Sequence, residues 1–159
     1  MSTDGRTASE AARVALRDPA PADELAWRAL WSAYNDFYAT KVPEQVTAAT
    51  WRRMLDPQVP VLGRLAERNG VVCGFSICVL HEGTWTVDPV CYLEDLFVDP
   101  SVRGGGIGRA LVQDALDRAQ TNGWSRLYWH TRAGNAAARR VYDRFVKADD
   151  FVRYRMILR

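Results

Sequence analysis

Arg103-Gly104-Gly105-Gly106-Ile107-Gly108-Arg109 places four glycines and two arginines in seven consecutive residues. The stretch before it, Val90 to Val98, is apolar and β-branched enough for a central strand and closes at Asp99-Pro100. Behind it, Ile107, Leu111, Ala115, Leu116 and Ala119 recur at helical spacing up to a stop at Asn122-Gly123. A turn without Cβ atoms, joining a strand to a helix, bends sharply and lets a ligand approach the backbone. The first N–H groups of the helix converge there with the positive end of its dipole. That potential is worth roughly 0.3–1 kcal/mol to an anion, and up to ~2 kcal/mol when partly buried. Arg103 and Arg109 can add charge-assisted bonds. Such a turn suits a phosphate or pyrophosphate; the alternative is a tight turn that holds nothing. Two common phosphate motifs do not fit. The sixth position of G-x-G-x-x-G is Arg109 when counted from Gly104 and Leu111 when counted from Gly106, and the Lys-Ser/Thr pair of a nucleotide P-loop is missing. The turn does match R-x-x-G-x-G, as Arg103, Gly106 and Gly108.

The rest of the chain alternates strands and helices around this turn. Residues 12–17 read as a first strand, Asp23 as the cap of a helix through Leu25, Trp27, Leu30 and Trp31, and Thr47 as the cap of a second helix ending near Leu55. Val61 to Glu67 and Val71 to Leu80 form a hairpin about Asn69-Gly70. Trp124 to His130 is a strand, Asn135 caps a helix from Ala136 to Phe145, and Phe151 to Leu158 is a last strand. The order is that of a mixed α/β domain with strand–helix–strand crossovers in its second half. Residues 1–10 are small and polar and read as a flexible tail without the apolar core of a signal peptide, leaving 11–159 as one domain. No apolar run is long enough to span a membrane, so a cytoplasmic protein is expected. Cys73, Cys78 and Cys91 sit in apolar runs without C-x-x-C spacing, and His81 and His130 are far apart. Neither a disulfide framework nor a metal centre is expected. Residues 1–100 carry 9 basic and 14 acidic side chains, net −5; residues 101–159 carry 12 and 5, net +7. The basic half suits a polyanionic ligand and the acidic half a cationic one.

The strand Tyr92-Leu93-Glu94-Asp95-Leu96-Phe97-Val98, the R-x-x-G-x-G turn, and Asn135 with Tyr142 together resemble the GNAT superfamily of N-acetyltransferases. Leu93-Glu94-Asp95 ahead of an Arg-Gly-x-Gly-Ile-Gly turn is most similar to its diamine (polyamine) branch. The resemblance implies an α/β acyltransferase fold with a mixed central sheet of six to seven strands and about four helices. It also implies acetyl-CoA as co-substrate without a metal, a small-molecule amine acceptor rather than nucleic acid or membrane, and a homodimer. In site terms it implies that Gly104, Gly105, Gly106, Ile107, Gly108 and Arg109 bind the coenzyme A pyrophosphate beside Arg103. The main chain of Leu96, Phe97 and Val98 would receive the pantetheine arm, and an N–H near Leu96 would polarise the thioester carbonyl. Asn135 would contact the arm, and Tyr142 would stand near the sulfur as general acid. One departure is plain: Tyr142-Asp143-Arg144-Phe145-Val146-Lys147 lacks the glycine that many relatives carry after the tyrosine helix.

Aminolysis of a thioester needs a neutral amine and a proton for the departing thiolate, and each transfer contributes typically ~10²–10⁴ in rate. Glu94 is the candidate base. Strict alternation would put Tyr92, Glu94, Leu96 and Val98 on one face, and a carboxylate in an apolar strand must be paired, hydrated or functional. Burial there would lift its pKa into a useful range. Asp95, on the other face, reads as a buried polar bond. Tyr142 lies seven residues after Asn135, about two helical turns, on nearly the same face. His130 is the spare base. Trp31, Tyr34, Phe37 and Tyr38 read first as core and second as an aromatic lid whose faces, those of Trp31, Tyr34 and Tyr38 above all, would hold a cationic amine beside Glu94. An amino acid acceptor would instead need a positive group for its carboxylate, which Arg132 or Lys41 could supply; protein lysine is a further alternative. A non-catalytic acyl-CoA-binding domain would keep the turn but lack both Glu94 and Tyr142.

Overall fold

Asn69 and Gly70 both take positive φ, 54° and 76°, the backbone of a two-residue hairpin. The strands they join, β2 (Val61–Arg68) and β3 (Val71–His81), lie at the centre of the sheet in the computed structural model, which describes residues 14–158. β1 (Val14–Arg17) pairs antiparallel with β2, and β4 (Val90–Val98) antiparallel with β3. β5 (Arg126–Trp129) joins β4 in parallel, giving the order β1-β2-β3-β4-β5. The 12–13 end of the expected first strand and the expected 1–10 tail lie outside the described residues. Among those described the sheet has five strands, not six to seven, because Phe151 to Leu158 pairs with nothing.

Four helices cover the two faces. α1 (Glu24–Phe37) and α2 (Glu44–Leu55) lie on one face, where Trp27, Trp31 and Trp51 pack with Leu65, Phe75, Ile77 and Phe97. Trp27 is fully buried and stacks on Trp31 at 5.3 Å and Trp51 at 5.1 Å. Each such pair adds about 0.5–1.5 kcal/mol beyond the area it buries. This fixes α1 on the sheet and sets the direction in which its last turn, Tyr34 to Phe37, emerges. α2 begins after Pro43, one turn earlier than a Thr47 cap requires. Thr47 is therefore inside the helix and buried, and its Oγ1 accepts from Trp31 Nε1 at 3.1 Å.

α3 (Ile107–Thr121) is the crossover between the parallel strands β4 and β5. It buries Ile107, Leu111, Val112, Ala115 and Ala119 on the opposite face. Asp114 ties it to β2 by accepting two bonds from Arg64, at 2.9 and 2.8 Å. α4 (Ala136–Tyr142) is shorter than the expected run to Phe145. Its end tightens instead into bonds from Phe145 N and Val146 N to Tyr142 O, at 2.8 and 3.1 Å. β5 is likewise shorter than Trp124 to His130.

Candidate active site

β4 departs from strict alternation at one place. Ile77 of β3 faces Asp95 and the next residue, Cys78, faces Leu93, so Glu94 is the extra residue of a β-bulge. Cys91 and Leu93 before the bulge, and Leu96 and Val98 after it, all face α3, whereas Asp95 and Phe97 face α1. Glu94 therefore does not share a face with Leu96 and Val98, and it is exposed rather than buried in the strand. Its charge still raises the pKa of Tyr92, Asp95 and Tyr128, in each case after burial, which is the larger cause.

The bulge coincides with the end of the β4–β5 ladder. Pairing runs from Val90↔Arg126 to Leu93↔Trp129 and stops, while β4 continues to Val98. Among the described residues no strand pairs with the β5-facing main chain of Glu94 to Val98, an edge able to accept an extended amide chain. Arg103 Nε donates to Val98 O at its far end (3.1 Å), with the guanidinium 5.5 Å over the Phe97 ring.

The glycine turn stands at the same end of the seam. Gly104 and Gly106 take φ of 86° and 79°, a region that side chains with a Cβ rarely adopt. Gly106 caps α3, and the first helical N–H bonded within the helix is that of Ala110, to Gly106 O at 2.9 Å. The N–H groups ahead of it point out of the helix start. Arg109 is exposed beside them. A third arginine, invisible to motif reading because it lies 37 residues away, joins the turn: Arg68 at the end of β2 reaches Gly105 O through Nη2 at 3.4 Å, and its buried Nε has no partner among the described residues. The cradle fits a pyrophosphate: glycine backbone, free helix-start donors and three guanidinium groups.

At the other end of the seam stand hydroxyl and carboxyl groups. Tyr142 packs its ring on Trp129 (5.4 Å), and burial, with a smaller contribution from Tyr38, pushes its phenol up to about 12. It holds its proton at neutral pH and can donate it. Tyr34 donates to Asp95 Oδ1 at 2.8 Å. Burial is the main cause that pushes Asp95 up to about 6, with Tyr34 opposing and Glu94 adding. Asp95 is thus the buried polar bond expected of it. Tyr38 lies edge-on to Tyr34 at 4.9 Å, with the Arg132 guanidinium 5.1 Å over its ring and donating to Tyr38 O at 3.4 Å. Trp31, read first as core and second as part of an acceptor lid, is core, with its Nε1 donating to Thr47. Asn135 spends both ends of its side chain on the start of α4: Oδ1 accepts from Ala138 N at 3.3 Å, and Nδ2 donates to Thr131 Oγ1 at 3.2 Å. His130 lies 3.3 Å from the Tyr92 hydroxyl, which belongs to a stacked Tyr92–Tyr128 pair whose other end meets His81 at 2.9 Å.

The model of the acetyltransferase (GNAT) family matches residues 26–146, most of the chain and every residue of this site. The chain belongs to the GNAT acetyltransferase family. It is an acetyl-CoA-dependent N-acetyltransferase. It is 34% identical over 145 residues to a D-amino-acid N-acetyltransferase of Saccharomyces cerevisiae, covering 90% of each chain. It is 35% identical over 78 residues to the ribosomal protein bS18-alanine N-acetyltransferase of Escherichia coli, covering 48% of this chain and 47% of that one. An aminoglycoside acetyltransferase solved with a bisubstrate analogue superposes with TM-score 0.75 at 20% identity, over 91% of this chain and 99% of that one. The GNAT sheet seen here has four helices and five described strands. The bulge at Glu94 and the Tyr34–Asp95 bond are features that motif reading missed, since a bulge leaves no mark in an apolar run.

Proposed function

We propose that this N-acetyltransferase, acting as a single domain over residues 11–159, transfers acetyl to the primary amine of a small amino acid by direct attack in a ternary complex. The observation that supports the transfer chemistry best is the seam itself: a free β4 edge from Glu94 to Val98, with the phosphate cradle at one end and the Tyr142 phenol at the other. The amine nitrogen attacks the thioester carbon and the carbon–sulfur bond breaks. Tyr142 gives its proton to the departing thiolate, and the amine's proton passes to exposed Glu94, directly or through water. Gly104 to Arg109, with Arg103, Arg109 and Arg68, hold the pyrophosphate, and the main chain of Leu96, Phe97 and Val98 holds the arm.

An amino acid acceptor is supported by Arg132, stacked on Tyr38 beside the Tyr34–Asp95 pair, where a guanidinium can take the carboxylate. The substrate named for the yeast relative is of the same class. The diamine reading, raised by Leu93-Glu94-Asp95, rests on exposed Glu94 and the aromatic faces of Tyr34 and Tyr38. Three free, buried cysteines fit a reducing, cytoplasmic setting, and a homodimer belongs to the same reading. A thiol-release assay with acetyl-CoA across D- and L-amino acids, diamines and alanine-ended peptides tests it. Turnover of amino acids that falls at least 10-fold in Arg132→Ala is expected. Turnover of diamines alone, unchanged by that substitution, refutes the amino acid assignment, and no thiol release with any amine refutes the transfer.

A further inference from the structure

Both histidines of the chain meet on one patch of the sheet. His81 ends β3, Tyr92 lies in β4, Tyr128 in β5, and His130 follows the last residue of β5. Their sequence neighbours Leu80, Cys91, Leu93, Leu127 and Trp129 pack toward α3. Alternation therefore turns the four rings to the other face, the one that carries α1. They pack there as a unit. Tyr92 and Tyr128 are ladder partners and stack with centroids 4.9 Å apart and planes at 18°. His130 stands edge-on to both, at 5.4 and 5.8 Å, and His81 edge-on to Tyr128 at 5.8 Å.

The polar atoms of these rings are spent on one another. The Glu82 carbonyl can only accept, so His81 Nδ1 carries a proton and donates to it at 2.8 Å. Neutral His81 then accepts at Nε2 from the Tyr128 hydroxyl, 2.9 Å away. The Tyr92 hydroxyl lies 3.3 Å from His130 Nδ1. What the patch offers a ligand is therefore chiefly ring surface. α1 and α2 cover Phe75, Ile77 and Phe97 on this face, and α1 reaches β4 no further than Asp95, through Tyr34. Among the described residues none of the four rings joins that core. Tyr92 and Tyr128 stay half-buried, and His81 and His130 are exposed. Four rings left uncovered side by side mark a contact surface.

Their place on the sheet selects what touches them. Tyr92↔Tyr128 and Leu93↔Trp129 are the last two rungs of the β4–β5 ladder, and the strands part at Glu94 and His130. Tyr142 meets this fork from the α3 side, against Trp129, and the Tyr34–Asp95 pair meets it from the α1 side. An amine that reaches a thioester in the seam over the α1 face arrives beside the rings, since Glu94 and Tyr92 are two residues, about 7 Å of strand, apart. That is the reach of one amino acid side chain. The patch already has its cations: the Arg126 guanidinium is 5.7 Å over the Tyr128 ring, and the charge of Arg153 acts on the Tyr92 phenol. An uncharged ring is the occupant that fits, not a second ammonium group.

We propose that the Tyr92–Tyr128 stack, with His81 and His130, is the side-chain subsite of the acceptor and takes an aromatic ring, so that aromatic amino acids are the preferred substrates. The proposal rests on the amino acid reading above, with the amine at Glu94 and the carboxylate at Arg132. A phenyl ring offset or edge-on to Tyr92 at 4.5–7 Å forms an aromatic pair, which a cyclohexyl ring of similar shape does not. Such a pair is worth about 2- to 12-fold in affinity beyond the area buried.

Matched acceptors test it: phenylalanine against cyclohexylalanine, and phenethylamine against cyclohexylethylamine, in the thiol-release assay. Wild type should favour the phenyl member of each pair about 5-fold in kcat/KM, through KM. Tyr128→Leu should bring that ratio close to one. A second measurement needs no turnover and no variant. The chain has two histidines, both in the patch, so their imidazole proton resonances report it directly. With coenzyme A present, phenylalanine or phenethylamine should shift both by ring current, and the cyclohexyl partners should not. Equal kcat/KM within each pair, a ratio that persists in folded Tyr128→Leu, or resonances that stay in place overturns the subsite. If phenethylamine shows the preference and the shifts while no amino acid is acetylated, the ring subsite stands and the amino acid assignment falls. If amino acids are acetylated without a phenyl preference, the assignment stands and the subsite falls.

Discussion

Asp95→Asn should stabilise the protein at neutral pH and leave it unchanged in acid. Asp95 sits under α1 with its Oδ1 taken by the Tyr34 hydroxyl at 2.8 Å, and burial pushes its carboxyl from an ordinary 3.8 up to about 6. A folded-state pKa raised above the unfolded one means that the native protein holds the proton more tightly. The contribution of this group is then fully present below about pH 4 and is lost as pH rises through about 6. About two units at 1.36 kcal/mol each put the loss near 3 kcal/mol. Asparagine keeps an oxygen that accepts from Tyr34 and never ionises, so the variant escapes that loss. Its added amide donor has to find water at the seam, which trims the gain. Urea unfolding of both proteins from pH 4 to pH 8 isolates the one residue, because every other carboxylate cancels in the difference. The stability difference should grow by about 2–3 kcal/mol in favour of Asn between pH 4 and pH 7. A difference that stays flat across that range, or that favours Asp at pH 7, would refute the reasoning that Asp95 is a burial-strained carboxylate.

The remaining predictions concern the transfer site. Tyr142→Phe keeps the ring against Trp129 and removes only the hydroxyl; kcat should fall roughly 10-fold or more in steady-state assays, while acetyl-CoA affinity by calorimetry stays within twofold. Gly106→Val forces a β-branched residue into φ near 79°, at a cost of roughly 1–3 kcal/mol in stability, and should weaken acetyl-CoA binding well beyond that of the folded wild type. Arg68→Ala should raise the acetyl-CoA dissociation constant several-fold, with a weaker effect at high salt, since the guanidinium acts mainly as a charge beside the turn; an unchanged constant assigns Arg68 to the fold alone.

Elements whose signals are local were legible in the sequence. The hairpin at Asn69-Gly70, the helix behind the glycine turn and the strand Val90–Val98 follow from dihedral needs and periodicity, and they appear where expected. The glycine turn at the start of α3 was legible for the same reason, since glycines and a helix start are neighbours in the chain. What failed was everything set by partners far apart. The bulge at Glu94 depends on how β3 meets β4, so alternation assigned the wrong face to Leu96 and Val98. The alternative of Trp31 as part of an acceptor lid failed because Trp27, Trp51 and Phe75 hold it in the core, which no spacing rule weighs. Arg68 and Tyr34 reach their partners across 37 and 61 residues. The last strand has the alternation of one, but alternation alone does not supply a ladder, and among the described residues 151–158 pair with no strand.

A seam lined by main chain divides the labour of evolution in this protein. In the proposed site the thioester's carrier meets carbonyls, amides and glycine dihedrals between Glu94 and Arg109, groups that most substitutions leave in place. On the same proposal the amine meets side chains, from α1 and from Arg132, each replaceable one at a time. Mutational drift can therefore retune which amine is acetylated while the donor end stays constant, and a variant library aimed at new acceptors should be confined to Tyr34, Tyr38 and Arg132.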